Sequence, residues 1–420
     1  MQRPGAKTSS PESDQNPGTC TWPSVDTPAA RRYPHAMNRR FSARALALTP
    51  FLAMEVMERA FEMERAGARI LHLEVGEPDF PPPAAAVAAC IRALEAGETR
   101  YTDSRGLAEL RVAIAADCAR RHGVEVDPER VLVTSGSSGA MLLVCSLLVE
   151  SGGEVVIGTP HYPCYPNFVR ACGGEPVLVP MQPEAGYPLR PADVRAVLTD
   201  RTRAIVVGSP ANPTGAIQSE DTLQELASLG VPLVSDEIYD GLVYDGARAA
   251  SALAVAGDVF VLDGFSKRYA MTGFRLGWLV APADAVRPLQ TLQQNLFISA
   301  NRFVQHAGIA ALAEGADTVA AMRDAYASRR DRLVEGLRAL GLRIPTVPQG
   351  AFYVFADARA FDTDSRRLAF SLLERAEVGV APGVDFGSAG EGWLRFCCAA
   401  SEQTIDEALV RLGRVLPELS

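Results

Sequence analysis

Between residues 131 and 280 the chain alternates short apolar runs with helical segments, and few folds accept that rhythm. The runs are Val131–Thr134, Val155–Ile157, Pro176–Val179, Ala204–Val207, Val231–Val234, Val259–Leu262 and Leu276–Val280. Each is short, nearly continuous and rich in Val, Ile and Leu, as a strand buried on both faces must be. Helical stretches lie between them, among them Ala140–Val149 and Thr222–Leu229. Strands alternating with helices predict an α/β fold whose mostly parallel sheet is covered on both sides. In such a sheet, ligands gather at the carboxyl ends of the strands.

The flanking regions read differently. Residues 1–36 hold many Pro, Ser and Thr residues and no apolar periodicity, which predicts a disordered extension. They contain no apolar stretch of the kind a signal peptide needs. Patterned sequence begins just after Met37, which points to Met37 as the natural start. A helix is expected over Leu52–Ala66 and a short strand over Ile70–Val75. Gly76-Glu-Pro-Asp-Phe-Pro-Pro-Pro83 then forbids both helix and central strand, so it reads as a rigid loop. Ala84–Ala96 is a further helix. Beyond Ser299 a long Arg-rich helix, Asp317–Leu340, precedes strands at Ala351–Phe355 and Trp393–Phe396 and a closing helix at Asp406–Leu412. That pattern suggests a smaller α+β region.

Composition excludes several classes. The net charge is −9 and the arginines are spread along the chain, so no basic patch suggests nucleic-acid binding. The most apolar stretch, Met141 to Val149, is too short to span a bilayer. The eight cysteines lack the paired spacing of a metal site, and Cys397 and Cys398 are adjacent. Reduced thiols in a cytoplasmic protein are the plain expectation.

One residue stands out chemically. Of 41 basic residues, only Lys7 and Lys267 are lysine. A guanidinium stays protonated near neutral pH, whereas a desolvated ε-amine can lose its proton and attack a carbonyl carbon. Lys267 follows the apolar run Val259–Leu262, in a Gly/Ser turn where a strand end would present a reactive group. Ser266 stands beside it and Arg275 shortly after. Amine, hydroxyl and cation around one loop suit an aldehyde cofactor with a phosphate tail, pyridoxal phosphate.

Other positions fit the same chemistry. Thr134-Ser-Gly-Ser-Ser-Gly139 joins a strand to a helix, and its converging N–H groups with Ser137 and Ser138 would hold the phosphate. An ordinary turn would look the same. Asp236, at the end of Val231–Val234, would meet the protonated pyridine nitrogen, or else cap a helix. Tyr239, about one helical turn on, and Asn212, in Ser-Pro-Ala-Asn-Pro-Thr-Gly215, could each donate to the ring 3-oxygen. The plainer readings are core packing for Tyr239 and an Asx-turn for Asn212. Tyr162 offers a ring to stack, and His161 reads as structural. Arg395, between Leu394 and Phe396, suits a substrate carboxylate unless it is a surface residue.

Gly-Glu-Pro-Asp-Phe80, Asn-Pro-Thr-Gly215, Ser-Asp-Glu-Ile-Tyr239 and the Lys267 loop occur in that order, and together they resemble the class I/II aminotransferases of pyridoxal-phosphate fold type I. The resemblance runs from about Phe51 to the end, and it is to the subgroup with bacterial aspartate, alanine and aromatic aminotransferases. It implies a large domain with a mostly parallel seven-stranded sheet plus a smaller α+β domain. The corresponding divisions are a disordered extension at 1–36, an N-terminal arm and part of the small domain at 37–80, the cofactor domain at 81–316 and the small domain at 317–420. It implies transfer of an amino group from an L-amino acid to a 2-oxoacid by a ping-pong mechanism, with no metal. Lys267 would hold the cofactor as a Schiff base and then shuttle the substrate proton, while Asp236 pairs with the pyridine nitrogen. Tyr239 and Asn212 would bind the 3-oxygen, Tyr162 the ring, and Ser137, Ser138, Ser266 and Arg275 the phosphate. Arg395 would take the α-carboxylate, with Asn212 and the Gly76 backbone on the substrate side. Tyr101 would reach the phosphate of the neighbouring subunit in a homodimer. Ser138 and Arg302 depart from the commoner residues, and Arg302 leaves the second-substrate specificity open.

Two other readings use the same residues. A cystathionine-type C–S β-lyase shares the motifs and the first chemical step. A transcriptional regulator with an aminotransferase-like sensor would need an N-terminal helix-turn-helix, and residues 1–50 offer no such pair of amphipathic helices.

Overall fold

The computed structural model describes residues 41–419. The expectations for residues 1–36 and Met37 lie outside the described residues. The chain divides into two compact units, residues 1–46 and 47–420. In the first, a single helical turn, Ala43–Leu46, is described.

The second unit is built on a seven-stranded sheet. From one edge to the other its strands are Val131–Thr134, Gly277–Val280, Val259–Gly264, Leu233–Asp236, Thr202–Gly208, Glu154–Thr159 and Glu175–Pro180. Six run in one direction, and Gly277–Val280 alone is antiparallel to both neighbours. The strands from Leu233–Asp236 to Glu154–Thr159 are buried along almost their whole length, as their unbroken apolar runs require. Two hydrophobic clusters cover the two faces. One is built around Ile114, Val133, Ile205, Val261 and Trp278, the other around Leu132, Ile157, Val206, Val234 and Leu279. Successive residues of a strand therefore feed opposite faces.

A third large cluster is accompanied by two smaller ones, around Phe386 and around Val56. It packs the helix Ala316–Ala339 and the helix Glu402–Val415 against the antiparallel strands Tyr353–Asp357 and Trp393–Cys397. The short strand Leu71–His72 joins this part by pairing with Val378–Gly379.

Several boundaries differ from the sequence expectation, each for a physical reason. The helix expected over Ala140–Val149 begins at Gly136 and ends at Leu148. Its first four N–H groups lack helical partners in any case, so small polar residues fill that turn and apolar periodicity starts only later. The strand expected over Ile70–Val75 pairs only at Leu71 and His72, because its partner is itself two residues long. The strand expected over Val231–Val234 is Leu233–Asp236, so Asp236 is its last residue. No helix follows it, which removes the helix-cap reading and the helical turn proposed to carry Tyr239. The strand expected over Ala351–Phe355 is Tyr353–Asp357, since Ala351 has φ +57° and is in a turn. The helix placed at Asp406–Leu412 extends from Glu402 to Val415, with the Ser401 hydroxyl capping Thr404 N–H.

Candidate active site

Four of the parallel strands end where the candidate residues begin. Asn212 follows Thr202–Gly208, Asp236 ends Leu233–Asp236, Lys267 follows Val259–Gly264, and Tyr162 follows Glu154–Thr159. The Asn212 loop is pinned across the molecule. Gly350 N–H donates to the Gly215 carbonyl at 2.9 Å, and Gly215 has φ +65° with Gly350 and Pro348 too close for a side chain.

Lys267 is half-buried and donates from Nζ to the Gly76 carbonyl at 2.5 Å. Burial, which penalises the charged amine, pulls its pKa from the ordinary 10.5 down to about 8. Cys397 and Glu77 oppose that shift, while the positive charges of Arg395 and Arg275 add to it. Gly76 itself has no room for a side chain, because a Cβ would overlap the Tyr353 hydroxyl.

Arg395 is only 1 % exposed, so the surface reading fails. It donates from Nη1 to Asn212 Oδ1 at 3.0 Å and from Nη2 to the Glu74 carbonyl. Its guanidinium lies 4.4 Å from the Tyr353 ring centre and 4.9 Å from that of Phe386. No carboxylate among the described residues lies within ion-pair distance of it. A buried cation served only by neutral groups is costly, and an anion brought from outside would offset that cost.

Asp236 is the converse case. It is 7 % exposed and accepts from the Tyr165 hydroxyl at 2.8 Å and from Ile238 N–H at 3.3 Å. No cation among the described residues forms an ion pair with it. Burial raises its carboxyl to about 6, and the two hydrogen bonds only partly offset this. Tyr239 is buried and shares a hydrogen bond with Tyr353, hydroxyl to hydroxyl, at 2.7 Å. That bond links Tyr239 to the ring beneath Arg395.

Arg275 and the helix Gly136–Leu148 make a second grouping. Arg275 is exposed, has φ +53°, and donates from Nη1 to the Thr272 carbonyl at 3.0 Å. Its guanidinium packs so tightly on Gly136 that a Cβ there would come within 2.7 Å of Nη2. The first turn of the helix, with half-buried Ser137 and exposed Ser138, thus has a cation beside its free N–H groups. Ser266 is buried next to Lys267. Tyr162 packs edge-on to Phe51 and Tyr165, at 6.1 and 5.4 Å between ring centres. Tyr101 is 77 % exposed. Arg302 forms an ion pair with Glu98, and both side chains are about one-third exposed.

Tyr165, Tyr353 and Glu74 were not singled out from the sequence. Tyr165 lies three residues after Tyr162, and Glu74 is a charge inside the apolar run Leu-His-Leu-Glu-Val. Those were the only local signals.

Comparison with known proteins decides what this arrangement belongs to. The family described as aminotransferase class I and II matches residues 68–412. The chain belongs to that family. It is 38 % identical over 385 residues to the aspartate/prephenate aminotransferase of Thermus thermophilus, covering 90 % of this chain and 99 % of the relative. It is also 38 % identical to the valine–pyruvate aminotransferase of Mycobacterium tuberculosis, covering 91 % of this chain and all of the relative. A solved structure of the Thermus thermophilus aspartate aminotransferase with maleate superimposes with a TM-score of 0.86, at 38 % identity, over 90 % of this chain and all of that one. The protein is therefore an aminotransferase that moves an amino group from an amino acid to a 2-oxoacid, and members of its family use pyridoxal phosphate. The C–S lyase and regulator readings are not favoured. No helix among the described residues is long and apolar enough to cross a membrane.

The residues fit that cofactor. Among the described residues Asp236 is a buried carboxylate without an ion-pair partner, Arg275 is a cation without one beside a helix N-terminus, and Lys267 is an amine with a lowered pKa.

Proposed function

We propose that Lys267 would hold the cofactor aldehyde through Nζ and that the same amine, when free, would take the proton from substrate Cα. The observation that supports this reading most is the backbone strip 74–76. It accepts from Arg395 at Glu74 and from Lys267 at Gly76. The carboxylate-binding arm and the base are thereby held about two residues apart on one piece of chain. Pyridoxal phosphate, when bound, supplies the electron sink for the Cα–H electron pair. Asp236 would face the ring nitrogen and keep it protonated. Tyr239 and Asn212 would donate to the 3-oxygen, and Tyr162 would lie along the ring. Ser137, Ser138, Ser266, Arg275 and the first turn of the helix Gly136–Leu148 would hold the phosphate. Arg395 would fork onto the substrate α-carboxylate, helped by Asn212 and the Gly76 backbone. Fixing that carboxylate sets which Cα bond is aligned for cleavage, and a neutral Lys267 already in place takes the proton.

The exposed Tyr101 fits a homodimer in which it reaches the neighbouring phosphate. Seven described cysteines are free, in keeping with a reducing cytoplasm. The named donors of the relatives range from aspartate to valine and, in a Pseudomonas aeruginosa relative, arginine. We therefore assign Arg395 to the group all amino acids share and leave side-chain selection to the surrounding loops. Arg302, paired with Glu98, is not assigned to it.

A half-reaction screen tests the proposal. Each amino acid is added alone to the cofactor-loaded enzyme, and the absorbance of the bound cofactor is followed. True donors shift it without an added oxoacid, and a 2-oxoacid restores it. Release of ammonia without restoration would contradict the assignment.

A further inference from the structure

A buried ion pair outside the assigned residues sits on the same backbone strip. Glu74 is 0 % exposed. Its Oε1 lies 2.6 Å from His72 Nδ1, and its Oε2 has no hydrogen-bond partner. The carboxylate is folded over Gly379, where any Cβ would overlap it. Yet the carbonyl of the same residue receives Arg395 Nη2. One residue earlier, the Leu73 carbonyl accepts from Cys397 N–H at 2.8 Å, two residues beyond Arg395. Two residues later, the Gly76 carbonyl accepts from Lys267.

The strand pairing of this strip is short, and the loop beyond it is tied by Thr272 to Glu77 and by Arg329 to Asp79 at 2.9 Å. The parallel pairing ends at His72, with one further bond from Leu73 N–H to the Gly379 carbonyl at 3.0 Å. The Gly-Glu-Pro-Asp loop that follows has no strand or helix. A fully buried carboxylate is retained at a cost unless a cation and good geometry offset it. His72, 30 % exposed and 2.6 Å away, is placed to supply the cation, and its hydrogen bond to Glu74 raises its pKa from the ordinary 6.5 to about 9. Its other nitrogen lies 3.2 Å from Glu64 on the helix Leu52–Arg65, and the Phe61 ring of that helix packs 5.7 Å from it.

We infer that the His72–Glu74 pair is a positioning device that clamps residues 74–76, so that the Glu74 carbonyl aims Arg395 at the substrate carboxylate. The inference rests on the assignment of Arg395 made above. Neither His72 nor Glu74 touches substrate. A clamp of this kind acts first on binding of the carboxylate, which is common to donor and acceptor; because that carboxylate also sets which Cα bond is aligned, and the same strip receives Lys267, turnover falls as well.

The test uses the full-length cofactor-loaded enzyme and pyruvate as the probe, since pyruvate has only the shared 2-oxoacid group. Its dissociation constant from the non-reacting pyridoxal form is measured by calorimetry, beside the KM values of the amino donor and of pyruvate. The variants are Glu74→Ala, Glu74→Gln, His72→Gln, Arg395→Ala and the double change Glu74→Gln with Arg395→Ala. A misplaced arginine is expected to raise the pyruvate constant and both KM values by one common factor, from about tenfold up to about a hundredfold. Equilibrium binding of pyruvate involves no chemical step, so it reads the placement of Arg395 apart from any fall in kcat. Glu74→Gln adds nothing once Arg395 is already Ala, because the two act on one contact. A purely structural role would lower the unfolding midpoint without moving the constant of the folded enzyme. If Glu74→Ala does not fold, Glu74→Gln and the partly exposed His72→Gln carry the test. Unchanged pyruvate binding in both, with Arg395→Ala strongly weakened, overturns the clamp and leaves the Arg395 assignment standing. Unchanged binding in Arg395→Ala overturns that assignment and the clamp with it.

Discussion

Two sets of buried charges lie on either side of Lys267, and they are solved in opposite ways. One set is closed. Arg121, on the helix Ala108–His122, reaches Asp117 from Nε at 2.8 Å, Asp263 from Nη2 at 2.9 Å, and Asp240 from Nη1. Arg268, next to Lys267, donates to Asp117 at 2.7 Å. Burial pushes the Asp117 carboxyl up, but Arg268 and Arg121 outweigh it and hold the group below the usual range. These pairs tie three segments together: the end of the strand Val259–Gly264, the turn with Asp240, and the helix behind them. The other set is open. Arg395 and Asp236 are also buried, yet each is met only by neutral donors or acceptors. The difference teaches how to read a charge in this molecule. Where charges are matched within the chain, they position backbone. Where Arg395 and Asp236 are left unmatched, the proposed function gives each a ligand of opposite sign.

Substitutions break this contrast at different points. The largest effect belongs to Lys267→Ala, which removes both the covalent anchor and the base. Turnover should fall by at least about 10⁴-fold, the upper range for general-base catalysis alone, while circular dichroism stays that of the folded chain. Ordinary turnover by this variant would remove the assigned role. In the closed set, Asp117→Ala strands Arg268 and takes one of three carboxylates from Arg121. Removing one partner of a buried pair should cost about 3–5 kcal/mol of stability in denaturant titration, with the KM of the surviving folded enzyme nearly unchanged. In the open set, Arg395→Ala should do the reverse. Loss of two charged hydrogen bonds to the substrate carboxylate raises KM on the order of a hundredfold, with little change in unfolding. Arg395→Lys should recover only part of that, because an ammonium cannot reproduce the fork.

The smallest and sharpest contrast is Asp236→Asn. The folded-state pKa of Asp236 is raised from 3.8 to about 6. Between those values the folded chain binds more protons than the unfolded one, so its stability falls as pH rises through this window. Above pH 6 the buried charge destabilises the cofactor-free chain. Replacing it by Asn should therefore stabilise that chain at pH 7 by up to about 3 kcal/mol, while weakening cofactor binding. At pH 4 the gain should largely vanish. A destabilised Asn variant at pH 7 would place Asp236 in the closed class.

Much of this was legible in the sequence, and the division follows chain distance. The seven apolar runs marked the strands because burial on both faces leaves a continuous hydrophobic signature. Lys267, Asp236, Asn212 and Arg395 were legible because each lies inside or just after such a run, where a polar residue is conspicuous. Their partners were not. Tyr165 is 71 positions from Asp236, Tyr353 is 114 from Tyr239, and Glu74 is 321 from Arg395. No local period encodes those meetings. The same holds for Asp117 and Arg268, which look like ordinary polar residues until a separation of 151 positions is closed by folding. The reversed strand Gly277–Val280 also gave no sign, since an antiparallel strand buried among parallel ones has the same apolar run.

The most direct test is reduction of the cofactor-loaded enzyme with borohydride, followed by peptide mass analysis. Only two lysines occur in the chain, so the outcome is unambiguous. The account predicts a pyridoxyl group on the peptide containing Lys267 and nowhere else. A label on Lys7, or no label on an enzyme that nevertheless transaminates, would contradict it.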